Sequence, residues 1–298
     1  MQLLIDIGNT SIKWALWDGT ALSEMQRARH HGALPIDLLA AWEALESVHQ
    51  VRICHVGPDA VKSAVTHIAR TLWQQTPEFM VVDPSRSPVR IAYTDPSRLG
   101  IDRWLSLCAA HQLYPGPKLI MHIGTAITYD ALLGDGQHLG GHILPGIEAL
   151  RDSLLNTTQI PPQDRSDPNN GLWGNNTGQC IAAACLHAPA ALADRLWHQL
   201  RKQTTTTPRL LITGGDAERI SPLLTHPSFH HPDLVLQGFL QHPRHSANQK
   251  ITNTSTNPLS ETPQFRLESI QRDNGNLISR ATKWPVPKAD TQPPTTLA

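Results

Sequence analysis

What the chain lacks narrows the field first. No apolar run in its 298 residues reaches the length of a membrane span, about 20 residues for a helix. Met1 leads straight into a strand pattern rather than a signal peptide, so a cytoplasmic protein with no membrane partner is expected. Lys and Arg together number 25, as do Asp and Glu. No field of one sign therefore argues for nucleic acid or an anionic surface. The four cysteines, Cys54, Cys108, Cys180 and Cys185, lack CxxC spacing and sit in apolar settings. They read as buried free thiols in a reducing compartment. Histidine is plentiful at 16 residues, yet no HExxH and no Cys/His cluster marks a zinc site. Most of these histidines read as surface or packing residues.

What is present is concentrated at the start. Residues Leu3 to Trp14 form an aliphatic strand, a tight polar turn and a second strand running through Ala15 and Leu16. Asp6 ends the first strand with a carboxylate suited to Mg²⁺, a hard cation that prefers oxygen. Gly8 lets an anion approach the main chain. Asn9 and Thr10 add side-chain donors, and Lys13 adds a positive charge. An ordinary hairpin with a polar turn would share this pattern, but Leu119 to Leu132 repeats it. Laid on the first stretch without a gap, Ile7 falls on Ile123, Gly8 on Gly124, Ala15 on Ala131 and Leu16 on Leu132. Two such units imply a duplicated domain whose turns face each other across a cleft and hold a nucleoside triphosphate from both sides.

The rest of the chain suits an α/β domain with a mixed sheet. A third strand is expected within Ala21–Arg29, a helix over Leu38–Val48 behind Pro35, and a buried strand over Val51–Val56. An amphipathic helix is expected over Val61–Gln74 and an apolar strand over Phe79–Val82. A loop from Pro84 to Leu99 leads to Gly100-Ile101-Asp102-Arg103 at the head of a helix through Trp104–Tyr114. On chemistry alone Asp102 is either a residue favoured by the helix dipole or a general base. Arg103 could fork onto a substrate carboxylate or phosphate. The second half begins at Lys118. His138 to Gly146 reads as a glycine-rich turn or a place of close ligand approach, followed by a helix over Ile147–Asn156. Pro161–Asn175 is a polar loop, and Asn176-Thr177 opens a long helix through Leu200. The strand Leu210–Ile212 ends in Thr213-Gly214-Gly215-Asp216, a plain turn or a bed for a base or ribose. Residues 245–298 are rich in Asn, Thr, Ser, Gln and Pro, and a mostly disordered tail is expected.

These pieces, in this order and spacing from Met1 to about Pro243, resemble the type III pantothenate kinases. That family is a branch of the acetate and sugar kinase/Hsc70/actin superfamily. The matching residues are Asp6-Ile7-Gly8-Asn9-Thr10 with Lys13, Gly100-Ile101-Asp102-Arg103, and Ile123-Gly124-Thr125-Ala126 with Thr128 and Asp130. Gly140-Gly141, Pro145-Gly146 and Asn176-Thr177 complete the set. The resemblance implies an α/β fold of two duplicated RNase H-like domains, mixed β-sheets flanked by helices with a cleft between them. The domains would be 1–117 and 118–244, ahead of the 245–298 tail. It implies a homodimer that phosphorylates pantothenate with ATP, the first step of coenzyme A biosynthesis. Asp6, Ile7, Gly8, Asn9, Thr10, Ser11, Ile12, Lys13 and Thr125 would bind ATP, with Mg²⁺ at Asp6. Tyr93, Gly100, Ile101, Asp102, Arg103 and Thr177 would surround pantothenate, with Asp102 as catalytic base.

Two features depart from the resemblance. The family's second hairpin usually carries an aspartate two residues before its glycine, supporting potassium or ammonium, where this chain has His122. Neutral imidazole is a poor ligand for a hard alkali cation. A weakened or lost cation site is therefore expected, with a protonated His122 partly replacing the charge, or else a tolerated substitution. The tail after Arg244 is the second departure and is expected to take no part in catalysis. Two other readings compete: a weakened homologue serving as a transcriptional accessory or regulatory protein, and a different small-molecule kinase or phosphatase on the same fold.

Overall fold

The structure, a computed structural model, describes residues 1–160 and 171–241. The tail from 245 onward and most of the 161–175 loop lie outside the described residues. The first half builds a five-stranded mixed sheet from β1 (Gln2–Ile7), β2 (Ser11–Trp17), β3 (Gln26–Arg29), β4 (Gln50–His55) and β5 (Glu78–Phe79). The second half builds another from β6 (Lys118–Ile123), β7 (Ala126–Leu132), β8 (His138–Pro145), β9 (Arg209–Thr213) and β10 (Ser228–His230). Their orders are β3-β2-β1-β4-β5 and β8-β7-β6-β9-β10, with the same pattern of parallel and antiparallel neighbours. Two sheets of identical topology are what a duplicated α/β unit produces. The fold class expected from the sequence is the one observed.

Period-2 alternation decides which residues face which layer. Leu3, Ile5, Ile7, Ile12 and Trp14 point to one side of the first sheet and pack with α1 (Ile36–Glu43) and α2 (Asp59–Trp73). Trp42 of α1 meets Trp14 edge-on at 5.9 Å between ring centroids, a geometry worth about 1 kcal/mol beyond area burial. The intervening residues Leu4, Ala15 and Cys54 face the other way, into a central core built around α3 (Ile101–Leu113) and α7 (Leu234–Phe239). Ile120, Leu132 and Leu211 enter the same core from the second sheet. The opposite face of that sheet is covered by α4 (Ile147–Thr157), α5 (Thr177–Lys202) and α6 (Ala217–Ile220). The sheets thus share one buried layer, and their turns emerge at its edge.

Several expectations are corrected here. The third strand is only Gln26–Arg29, and α1 stops at Glu43 rather than Val48. His138–Pro145 is not a turn but the edge strand β8: Gly141 pairs with Asp130 and Gly140, at φ +108°, with Ala131 beside a register irregularity. The two hairpins do not superpose without a gap. Ile7 pairs with Ile12 in the first, but Ile123 with Ile127 in the second, so the second turn is one residue shorter. The structural counterpart of Lys13 is therefore Thr128, while Asp6 still answers to His122. Cys180 is exposed; the other three cysteines are buried, and all four thiols are free.

Candidate active site between the two turns

Each hairpin closes on the N–H of its glycine, the second one residue sooner. Gly8 N–H donates to Ser11 O at 3.0 Å, and Gly124 N–H donates to Ala126 O at 3.0 Å. The first turn has an extra support. His30, buried behind it, has Nε2 2.9 Å from Gly8 O, while Gly32 N–H donates to His30 Nδ1 at 3.4 Å. That second bond leaves Nδ1 as acceptor, so Nε2 carries the proton and holds the Gly8 carbonyl. The turns meet across the cleft: Thr10 Oγ1 and Thr125 Oγ1 are 2.9 Å apart. A cavity of about 300 Å³ opens beside this contact.

Asp6, Gly8, Asn9, Thr10, Ser11, Lys13, Asp102, His122 and Thr125 all line that cavity. Asp6 Oδ2 is 3.4 Å from Lys13 Nζ. Its Oδ1 is buried without a hydrogen-bond partner. A buried orphan carboxylate oxygen is costly, and it is a ready ligand for a divalent cation, so the donor set fits Mg²⁺. Asp102, at the second position of α3, accepts from Arg103 N–H at 2.9 Å and so takes part in the helix start. It also faces the cavity. Burial, and after it the negative charge of Asp6, raises its pKa above the usual carboxylate value. A raised pKa brings a carboxylate closer to the range useful for taking a proton.

The other expected residues sit elsewhere. Ile7 and Ile12 are fully buried in the core of the first sheet, so they shape the turn, and only their main chain can reach the cleft. Arg103 does not offer a free fork. Its Nε donates to Asp130 Oδ2 at 2.9 Å and its Nη2 to Asp130 Oδ1 at 2.6 Å. Its Nη1 donates to the Tyr93 hydroxyl at 2.8 Å. Burial works against both charges, but the bonds from His138 and Arg103 hold Asp130 below the usual range, and Asp130 keeps Arg103 charged. Tyr93 and Arg103 thus form a buried network behind Asp102. Gly100 caps α3, Ile101 is in the central core, and Thr177 opens α5 after the Asn176 cap; none of the three lines the cavity.

His122 lies in the second sheet between Thr128 and Thr213. Burial, with Lys13 opposing a second positive charge, pushes its pKa down to about 3. The expected protonated His122 is therefore wrong: the imidazole is neutral at physiological pH. Among the described residues no group of three His, Cys, Asp or Glu side chains could hold a metal ion. The cavity also contains Gly215 and Asp216 of the turn after β9, together with residues the sequence did not single out: Arg27, Arg29, His30, His31 and Glu148. The alternation of Arg27 and Arg29 on a short strand was the one available signal. A second, more open groove of about 550 Å³, between Trp197, Arg209 and Phe229, contains no residue of either turn.

Comparison with known proteins points to one family. The family model described as type III pantothenate kinase matches residues 2–199. The type III pantothenate kinase of Nitrosococcus oceani is 37% identical over 244 residues, covering 80% of this chain and 92% of the relative. That of Dichelobacter nodosus is 33% identical over 244 residues, covering 81% and 97%. Among solved structures, component A of the Acidaminococcus fermentans (R)-2-hydroxyglutaryl-CoA dehydratase aligns over 80% of this chain and 95% of its own, with TM-score 0.44 and 13% identity.

Proposed function

The chain belongs to the type III pantothenate kinase family, and from that premise we propose how its cleft carries out the reaction. The protein is an ATP-dependent kinase that phosphorylates pantothenate to 4'-phosphopantothenate, the first step of coenzyme A biosynthesis. The triphosphate lies between the Gly8–Ser11 and Gly124–Ala126 turns, held by main-chain N–H groups and the Thr10 and Thr125 hydroxyls. Lys13 neutralises phosphate charge. The observation that carries this reading is the Thr10–Thr125 approach of 2.9 Å with Asp102 lining the same cavity.

Asp102 is the catalytic base. It accepts the proton of pantothenate's primary hydroxyl as that oxygen bonds to the γ-phosphorus. The bond from the γ-phosphorus to the β,γ-bridging oxygen breaks, and ADP leaves with the electron pair. Asp6 would hold Mg²⁺, which supplies charge neutralisation at the transferring phosphoryl group. Tyr93, Gly100 and Thr177, outside the cavity, are positions for the rest of pantothenate, Ile101 supports the start of α3 from the core, and Arg103 orders the site through Asp130 rather than by a free guanidinium. The monovalent-cation position does not fit an alkali ion, because a neutral imidazole replaces the oxygen anion there; no step uses one.

The protein works as a homodimer in the cytoplasm. Support for pairing is the set of exposed apolar side chains in the second half: Leu139 and Ile143 on the edge strand β8, Leu154 on α4, and Leu172 with Trp173 ahead of α5. A regulatory role without catalysis is not favoured, because Asp6, Lys13 and Asp102 share one cavity. The test is turnover of ATP and pantothenate by the purified full chain, with product followed by mass, in sodium and in potassium buffers. The expected result is 4'-phosphopantothenate at the same rate in both. Absence of product contradicts the kinase reading, and strict dependence on potassium contradicts the reading of His122.

A further inference from the structure

Arg27 is one of the cavity residues that the mechanism above leaves unused. Strand register places Cys54, Asp6, Lys13 and Arg27 side by side across β4, β1, β2 and β3. Paired residues of a sheet point to the same face, so Arg27 shares the cleft face with Asp6 and Lys13. One register step further, Arg29 pairs with Ser11 of the phosphate turn. Both arginines line the cavity. Of the acids lining the cavity, Asp6 pairs with Lys13, Glu148 and Asp216 both pair with Arg219, and Asp102 accepts from Arg103 N–H at the head of α3. Among the described residues neither Arg27 nor Arg29 has a carboxylate within ion-pair distance. An arginine beside a lysine, with no acid of its own, is a poor arrangement for an empty cleft and a good one for a polyanion.

The reach of Arg27 adds a second observation. Its guanidinium crosses from the first sheet to the turn after β9 and lies where a Cβ on Gly215 would be, with Nη2 2.6 Å and Cζ 2.7 Å from that position. The Gly214-Gly215 turn is thus bare on the side where the guanidinium rests. Arg27 and Gly215 both line the cavity, so the guanidinium rests across it from β3 to that turn.

We propose that Arg27, with Arg29 beside it, binds the phosphates of the nucleoside triphosphate and bridges them to the Gly214-Gly215 turn. This rests on the ATP-dependent reading above and extends it to β3, a strand outside both turns. A guanidinium forks onto two phosphate oxygens, which an ammonium cannot do. Gly215 stays without a side chain to leave room for the crossing.

The test is calorimetry of ATP, ADP and AMP on the full chain, for the wild type, Arg27→Gln, Arg27→Lys, Gly215→Ala and the Arg27→Gln/Gly215→Ala double variant. Thermal melts run alongside. Arg27→Gln should weaken ATP roughly 10- to 100-fold, the loss of a charge-assisted contact. The loss should shrink from ATP to AMP, and Arg27→Lys should lie between. Gly215→Ala should weaken ATP in the wild-type background and add nothing in Arg27→Gln, because the methyl acts by displacing the guanidinium. The KM for pantothenate should not move. Unchanged ATP affinity in Arg27→Gln with an intact melt overturns the proposal, as does a loss equal for ATP and AMP. Wild-type protein that binds ATP but does not turn over pantothenate removes the kinase reading alone, and the calorimetry still decides Arg27.

Discussion

The two halves have the same topology and opposite chemistry. At the cleft edge the first sheet presents Cys54, Asp6, Lys13 and Arg27. The matching positions of the second sheet are Thr213, His122, Thr128 and Ile143. One row carries three charges and the other none. Asp130 of the second sheet is also ion-paired, with Arg103 of α3, but one register step further from the turn, where the pair is buried. Two turns of related geometry therefore accompany a charged row on one side only. Asp130, at a different register position from Asp6, is structural.

That contrast can be broken at each of its members. Asp130→Asn leaves the buried Arg103 charge without its partner. Breaking a buried pair in this way costs about 3–5 kcal/mol, so the melt should fall steeply, and an unchanged melt would return Arg103 to the role of a free substrate fork. Asp6→Asn should instead leave the melt nearly intact and lower kcat by roughly 10²–10³, the usual loss when an electrostatic support of the transition state is removed. His122→Asn, at the equivalent position, should stay within about tenfold of wild type, short of that loss. Equal losses at the two positions would make the cleft symmetric and the contrast false. Gly141→Ala probes the deeper pair sterically. A methyl there would run into Tyr129 O and stand 2.7 Å from Asp130 Oδ1 and 2.8 Å from Arg103 Nη2. Overpacking of this kind costs about 1–3 kcal/mol, and chemical denaturation should register it. Smallest is the response to Asp102. Its pKa is raised in the fold, so below its unfolded value it favours the folded state, and that advantage is lost as pH rises through the folded pKa. At neutral pH the ionised carboxylate therefore costs stability, and Asp102→Asn should melt slightly higher than wild type. A lower melt would mean that its contact with the helix start outweighs burial.

Much of this was legible in the chain itself. Strands, alternation and the paired turns follow from local pattern, and so does the helix bearing Asp102. What was hidden depends on contacts between distant residues. Gly140 and Gly141 look like a turn, because glycine punctuates turns; only the Arg103–Asp130 pair shows why the strand needs bare backbone at Gly141, and only the φ of +108° shows why it needs glycine at Gly140. The gapless match of the hairpins rested on aliphatic residues that fit either register, so it missed the shorter second turn. Arg103 looked free because its partner is 27 residues away. Arg27 and His30 escaped notice because nothing in a short edge strand reveals that it borders a cleft. The charge of His122 was misjudged for the same reason: its burial and the nearby Lys13 belong to the fold, and composition does not report them.

Asp102 carries the central claim, that a single carboxylate on α3 activates an alcohol between two turns that grip one triphosphate. Single-turnover formation of 4'-phosphopantothenate by Asp102→Asn, with ATP and pantothenate binding measured on the same sample, tests it most directly. The account predicts both ligands bound and the rate down by about 10²–10⁴, the contribution expected of a general base. A variant that binds both ligands and transfers phosphate at the wild-type rate would contradict it.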